Sequence, residues 1–170
     1  MPKKTKALDK TVVFLSSTFR DLAPDRAILK LALESSGYQV LGMELFTASP
    51  DPPLATCLAE LDRSHIYVGI IGECFGSCPL GYKKSYTQLE YEHAIKRKMP
   101  IFCFLTANDA ELTPAQFEQD GNKRERLKAF RKRIERHTVA FFKNANHAAW
   151  QILAALRKHE IQIREKKGKK

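Results

Sequence analysis

Ile66-Tyr67-Val68-Gly69-Ile70-Ile71 is apolar almost throughout. A strand that can show water neither face belongs in a sheet covered on both sides, as parallel sheets are. Residues 72–81 then form a glycine-containing loop, and Ser85-Tyr86-Thr87-Gln88-Leu89-Glu90-Tyr91-Glu92-His93-Ala94 opens a helix. Ser85 is a good N-cap, and Gln88 three residues later completes a capping-box pattern. The helix is expected to run to about Lys98, with Pro100 as its stop. At the helical period Thr87, Glu90, Tyr91, Ala94 and Lys98 share one side, with Ile95 beside them. Glu92, His93, Lys96 and Arg97 share the other. Glu90 thus stands on or beside the face that packs inward. A carboxylate is a poor choice for packing, which makes Glu90 a candidate for chemistry.

Working outward, the same unit recurs. Residues 11–16 are a short buried strand that ends in a polar loop, 16–21. Pro24 suits a first helical turn; Ile28, Leu31 and Ala32 give the stripe, and Gly37 the stop. Residues 38–43 read as a second strand, followed by a proline-stiffened loop, 44–53. Leu54, Cys57, Leu58 and Leu61 mark a second helix. Residues 101–105 are the fourth strand, 106–122 a polar stretch, and 123–136 a very basic helix whose apolar stripe is Leu127, Phe130 and Ile134. Residues 139–142 are the fifth strand, and Ala149, Ile152, Leu153 and Leu156 the last helical stripe. Five alternations of strand and helix mean right-handed crossovers and one parallel sheet. Ligands of such sheets bind outside the C-terminal strand ends. The loops at 16–21, 44–53 and 72–85 therefore share an edge with the start of the Glu90 helix.

The chain has 170 residues and a net charge of +10. This suits one domain over 11–160, with a basic lead-in at 1–10 and a basic tail at 161–170 expected to be disordered. Residues 121–170 hold sixteen Lys/Arg against four Asp/Glu, so the basic character belongs to the C-terminal third. No apolar run has transmembrane length and no signal peptide is expected. Four cysteines without framework spacing fit a reducing, cytoplasmic setting.

Site candidates follow from the shared edge. Ser16, Ser17, Thr18, Phe19, Arg20 and Asp21 offer hydroxyls, backbone N–H groups and a guanidinium to a phosphate or ribose. Capping by Thr18 or Asp21 is the plainer alternative. Gly72 and Gly76 let backbone approach a ligand, or are ordinary turn glycines. Phe46, Phe75, Tyr82 and Tyr86 offer faces to a nucleobase, or pack in the core. Cys74-x-x-x-Cys78 lacks a second pair of ligands and the five histidines are scattered, so no metal site is expected. No cofactor is implied.

Val13-Phe14-Leu15-Ser16-Ser17-Thr18-Phe19-Arg20-Asp21-Leu22, Gly42-Met43-Glu44-Leu45-Phe46, Tyr67-Val68-Gly69-Ile70-Ile71-Gly72 and Ser85 to Glu92 resemble a TIR-like domain of unknown function. That domain is found at the N-termini of NACHT- and other STAND-type NTPases and in bacterial defence proteins. The resemblance covers roughly residues 11–145. It implies a flavodoxin-type fold with strand order 2-1-3-4-5. It also implies remote kinship with TIR domains and nucleoside 2-deoxyribosyltransferases, in which a glutamate early in the helix after the third strand acts on an N-glycosidic bond. The deoxyribosyltransferase pattern Thr-x-x-Glu-x-x-x-Ala is matched by Thr87, Glu90 and Ala94. Glu92 stands where that pattern usually has glycine.

The resemblance makes Glu90 the expected catalytic carboxylate of an NAD-consuming or related nucleotide N-glycosidase, in immune or antiphage-type signalling. The plainer reading of Glu90 is a buried carboxylate paired with Arg20 or a tyrosine hydroxyl. A second expectation is a non-catalytic TIR-like module that self-assembles or engages a larger NTPase receptor, in cis or in trans. A third is nucleic-acid binding by the basic C-terminal third. For that third a solvated helix face and solubilising tail are the favoured reading, because Phe130 is the one aromatic residue in the basic run and its stripe needs it.

Overall fold

The computed structural model describes residues 10–42 and 53–168. Five strands form one parallel sheet: β1 (Val12–Ser17), β2 (Gln39–Leu41), β3 (Ile66–Ile71), β4 (Ile101–Thr106) and β5 (Val139–Phe142), in the order β2-β1-β3-β4-β5. The helices are α1 (Ala23–Ser35), α2 (Pro53–Asp62), α3 (Tyr86–Lys96), α4 (Gly121–Ile134) and α5 (Ala145–Gly168). This is the flavodoxin-like order. It places the reversal of strand order between β1 and β3, whose C-terminal ends carry the loops at 18–22 and 72–85.

Strand β3 sits at the centre and is buried at every position. Its side chains alternate between two cores. Ile66, Val68 and Ile70 join Leu29 and Leu33 of α1 and Ile152 and Leu156 of α5. Tyr67 and Ile71 join Leu61 of α2, Tyr91 and Ala94 of α3, and Leu127, Phe130 and Ile134 of α4. Gly69 is on the second face, where an added Cβ would lie 2.8 Å from the Tyr67 ring. Its lack of a side chain lets Tyr67 lie along the sheet.

Several expectations change. The stripe of α1 is Arg26, Leu29 and Leu33, whereas Ile28 and Leu31 face solvent. Leu22, at the N-cap, is buried and sets that register. Arg26 is tolerated inside because its guanidinium donates to Ser17 Oγ at 2.8 Å and to the Leu15 carbonyl at 3.1 Å. Strand β2 covers three residues only. The capping box of α3 is half formed. Ser85 Oγ accepts from Gln88 N, but the Gln88 side chain turns to Glu92 instead. Helix α3 stops before Pro100 by a Schellman motif. Met99 N reaches the Ala94 carbonyl and Lys98 N that of Ile95, with Lys98 at φ 57°. Helix α4 starts and ends two residues earlier than expected, because Asp120 caps it by accepting from Lys123 N. Helix α5 continues through residues 161–168, where a disordered tail was expected. Its glutamate, lysine and arginine residues there are good helix formers, and Ile161 and Ile163 remain half-exposed. No helix among the described residues is long and apolar enough to cross a membrane.

Candidate functional site

The end of β1 meets the start of α3 under the sheet's C-terminal edge. Ser16 Oγ donates to Glu90 Oε2 at 2.5 Å. The Cys57 thiol of α2 donates to Glu90 Oε1 at 3.2 Å. Glu90 is 2% exposed. Burial, and then the charge and hydrogen bond of Glu90, push the Cys57 thiol far up, so it stays a protonated donor. Arg26 acts in the opposite sense on Cys57, which places its positive charge within reach of the same cluster. The Tyr67 hydroxyl lies beside Ser16 and Glu90 without a well-formed hydrogen bond, and burial holds it in its neutral form. Three elements thus converge on one buried carboxylate. Arg20 lies exposed at the surface, so the expected Glu90–Arg20 pair is not the arrangement found.

Above this cluster lies a cleft of about 660 Å³. Ser17, Thr18, Phe19 and Arg20 form one wall, Gly76, Tyr86 and Thr87 another, and Phe117, Gln119 and Lys123 the third. Thr87 stands one turn before Glu90 on α3, so the carboxylate lies just beneath the cleft rather than on its surface. Tyr86 links the two levels. It lines the cleft, and its hydroxyl is pushed up by burial and then by the charges of Cys57 and Glu90.

The loop after β1 is built by Asp21. Its carboxylate accepts from the Thr18 hydroxyl and from Cys74 N, the latter at 3.3 Å. Burial raises its pKa, and these hydrogen bonds pull the other way. Neither Thr18 nor Asp21 caps α1, whose N-cap Leu22 has no side-chain hydrogen bond. Gly72 is required by this arrangement, since an added Cβ would stand 2.5 Å from Asp21 Oδ2. Gly76, at φ 83°, turns the β3 loop against Thr18.

Other expected residues fall elsewhere. Phe75 is 2% exposed and belongs to the core shared by α3 and α4, so it offers no face to a ligand. The apolar Tyr91 and Phe130 beside it explain why an aromatic next to a loop glycine turned inward. Tyr82 is half-exposed and lies outside the cleft. Gly72 packs on Asp21 and Leu22 instead of facing the cleft. Phe46 lies outside the described residues. No group of three potential metal ligands occurs among the described residues.

Three contributors escaped sequence reading. Arg26 is an arginine on the inner stripe of α1, a signal visible only once the stripe's register is known. Arg131 of α4 donates to the carbonyls of Gly72 and Thr106 and to Glu73 at 2.6 Å, tying α4 to the ends of β3 and β4. Phe117 lies in the polar stretch before α4. That stretch is strapped to the edge: Glu118 N donates to the Glu73 carbonyl, Phe75 N to Glu118 Oε2, and Gln116 Nε2 to the Asp21 carbonyl.

Residues 12–157 match the family model described as "Domain of unknown function (DUF4062)", and the chain belongs to that family. No curated protein sequence matches it. Among solved structures, the chain is similar to the one entitled "Crystal structure of the RPS4 and RRS1 TIR domain heterodimer", at 13% identity. The alignment covers 76% of this chain and 99% of that one, with a TM-score of 0.40.

Proposed function

We propose that this is a TIR-like signalling domain that cleaves the N-glycosidic bond of NAD or a related nucleotide, with Glu90 as its essential carboxylate. The observation that carries this reading is a carboxylate buried to 2% exposure directly below a cleft at the topological switch point. Burying a carboxylate is costly even when hydrogen-bonded, and such groups concentrate where chemistry needs them. In the proposed step the bond from ribose C1′ to the nicotinamide nitrogen breaks, and its electron pair leaves with the now neutral nicotinamide. Glu90 stabilises the oxocarbenium-like ribose, and water adds at C1′ and gives its proton to solvent. The Thr87 hydroxyl and the Arg20 guanidinium, both lining the cleft, would meet the ribose and diphosphate. Access to Glu90 requires the Thr87 turn or its neighbours to yield when ligand enters.

A second reading has its own observation. Ser16 and Cys57 already hold both oxygens of Glu90. On this reading the cluster fixes β1, α2 and α3 together, and the domain works by contact with a second copy or with an NTPase receptor in cis or in trans. Chromatography of NAD incubated with the wild type and with Glu90→Gln separates the two. Nicotinamide released by the wild type alone supports the first reading. Equal release by both proteins excludes Glu90 catalysis, and no release by either, even when the domain is artificially clustered, supports the second.

A further inference from the structure

A second cleft, of about 690 Å³, opens on the far side of the strap. Phe117, Glu118 and Gln119 line both clefts and form the wall between them. The opposite wall is α4, where Arg124, Lys128, Arg131, Lys132 and Glu135 follow one helical stripe around Leu127. Glu73 is neutralised by Arg131 at 2.6 Å. The Glu118 carboxylate is spent on Phe75 N and Asp120 N. Arg124 uses only its Nε, on the Glu118 carbonyl. Lys128 and Lys132 are exposed and make no ion pair or hydrogen bond among the described residues. The unspent charge facing the cleft is therefore cationic, with Glu135 as the single carboxylate opposing it. Phe117 is 46% exposed, an unusual position for a phenylalanine whose backbone is fixed by a bridge to Glu73.

We infer that this second cleft binds a nucleotide carrying at least a diphosphate, its ring stacked on Phe117 and its phosphates on Lys128 and Lys132. A ring face and clustered unpaired cations lining one cleft are what a base with a polyphosphate recognises. A compact ligand is favoured over an extended strand of nucleic acid. The two unpaired cations stand one helical turn apart on α4, a span that suits a diphosphate better than a long phosphate chain, and Glu135 opposes any further phosphate. The inference goes beyond the N-glycosidase reading and stands without it, because it concerns binding at a site that contains no part of the Glu90 cluster.

The test is titration calorimetry of the whole chain with ADP, adenosine, pyrophosphate and a single-stranded 12-mer. Lys128→Glu/Lys132→Glu and Phe117→Ala are compared with Lys158→Glu, an exposed cation on α5 across the sheet. ADP is expected to bind more tightly than adenosine or pyrophosphate. The double charge reversal should weaken ADP at least about tenfold, from loss of two charge-assisted contacts. Phe117→Ala should weaken it about tenfold, from loss of one stack. Lys158→Glu should change nothing, and circular dichroism should find all the variants folded. The inference is overturned if ADP does not bind at millimolar concentration, or if Lys158→Glu weakens it as much as the double reversal. It is also overturned if the 12-mer binds far more tightly than ADP, which would make α4 a nucleic-acid track.

Discussion

Glu90 shares its space with four polar side chains of unequal satisfaction. Ser16 donates to it at 2.5 Å, so Ser16→Ala would leave a buried carboxylate oxygen short of a donor. That loss is expected to cost about 1–3 kcal/mol, measured as a lower urea midpoint at unchanged slope. Tyr67 is the opposite case. Its hydroxyl is fully buried beside Ser16 without a well-formed hydrogen bond, so Tyr67→Phe should be neutral or stabilise the fold by up to about 1 kcal/mol. A loss of stability on that substitution would show that the hydroxyl has a partner in solution. At this scale the sequence was partly readable. Glu90 stood out because a carboxylate occupied an inward helical position. Its partners did not, because Ser16 and Cys57 lie 74 and 33 residues away and nothing local distinguishes them from ordinary small core residues. Phe75 left two readings open, ligand face or core, because an aromatic beside loop glycines has the same local signature in both, and it packs in the core.

Helix α3 shows how an element's two ends carry separate consequences. Its C-terminus uses Lys98 at φ 57°, a left-handed position where glycine is unstrained. Lys98→Gly is expected to raise stability by up to about 1 kcal/mol, read as a higher Tm. Its outer face carries Glu92, which accepts from Lys84 at 2.7 Å and from Arg133 of α4 at 2.6 Å. Partial burial raises the pKa of Glu92, but these two hydrogen bonds and charges outweigh it and hold the pKa below the usual glutamate value. A lowered folded pKa contributes stability that is present above the unfolded value of 4.5 and is lost as pH falls through the folded one. Glu92→Gln should therefore flatten the acid limb of the stability profile. The change should be under about 1 kcal/mol, because both cationic partners are substantially exposed. Element existence was legible throughout because β3 is uniformly apolar and the helical stripes are regular. Element ends were less so. The stop of α3 is a backbone motif at Lys98 that no residue preference signals, and the stripe of α1 shifted because a buried Arg26 replaced an apolar residue.

Across the molecule, stability and binding are divided between the two ends of the sheet. Strands β1, β3 and β4 have partners on both sides and two cores, whereas residues 107–120 are held to the edge by a few loop and side-chain hydrogen bonds. Hydrogen exchange should show the slowest amides in β3 and its neighbours and much faster ones in the strap. Equal protection in both would contradict this division. Alternation of strand and helix gave a parallel sheet and the resemblance implied its strand order, but neither pointed to the strap's closure over the edge. It depends on Gln116 and Glu118 reaching loops 95 and 43 residues earlier, and a polar stretch without periodicity hides such contacts. The whole chain's central claim is that a buried Glu90 beneath the edge cleft breaks an N-glycosidic bond. The most direct test is nicotinamide release from NAD, followed by chromatography, for the wild type and a folded Glu90→Gln variant, each as a free and as an artificially clustered domain. The account predicts release by the wild type and a loss of at least about a hundredfold in the variant. Release at the same rate by both proteins, or by neither in either form, would contradict it.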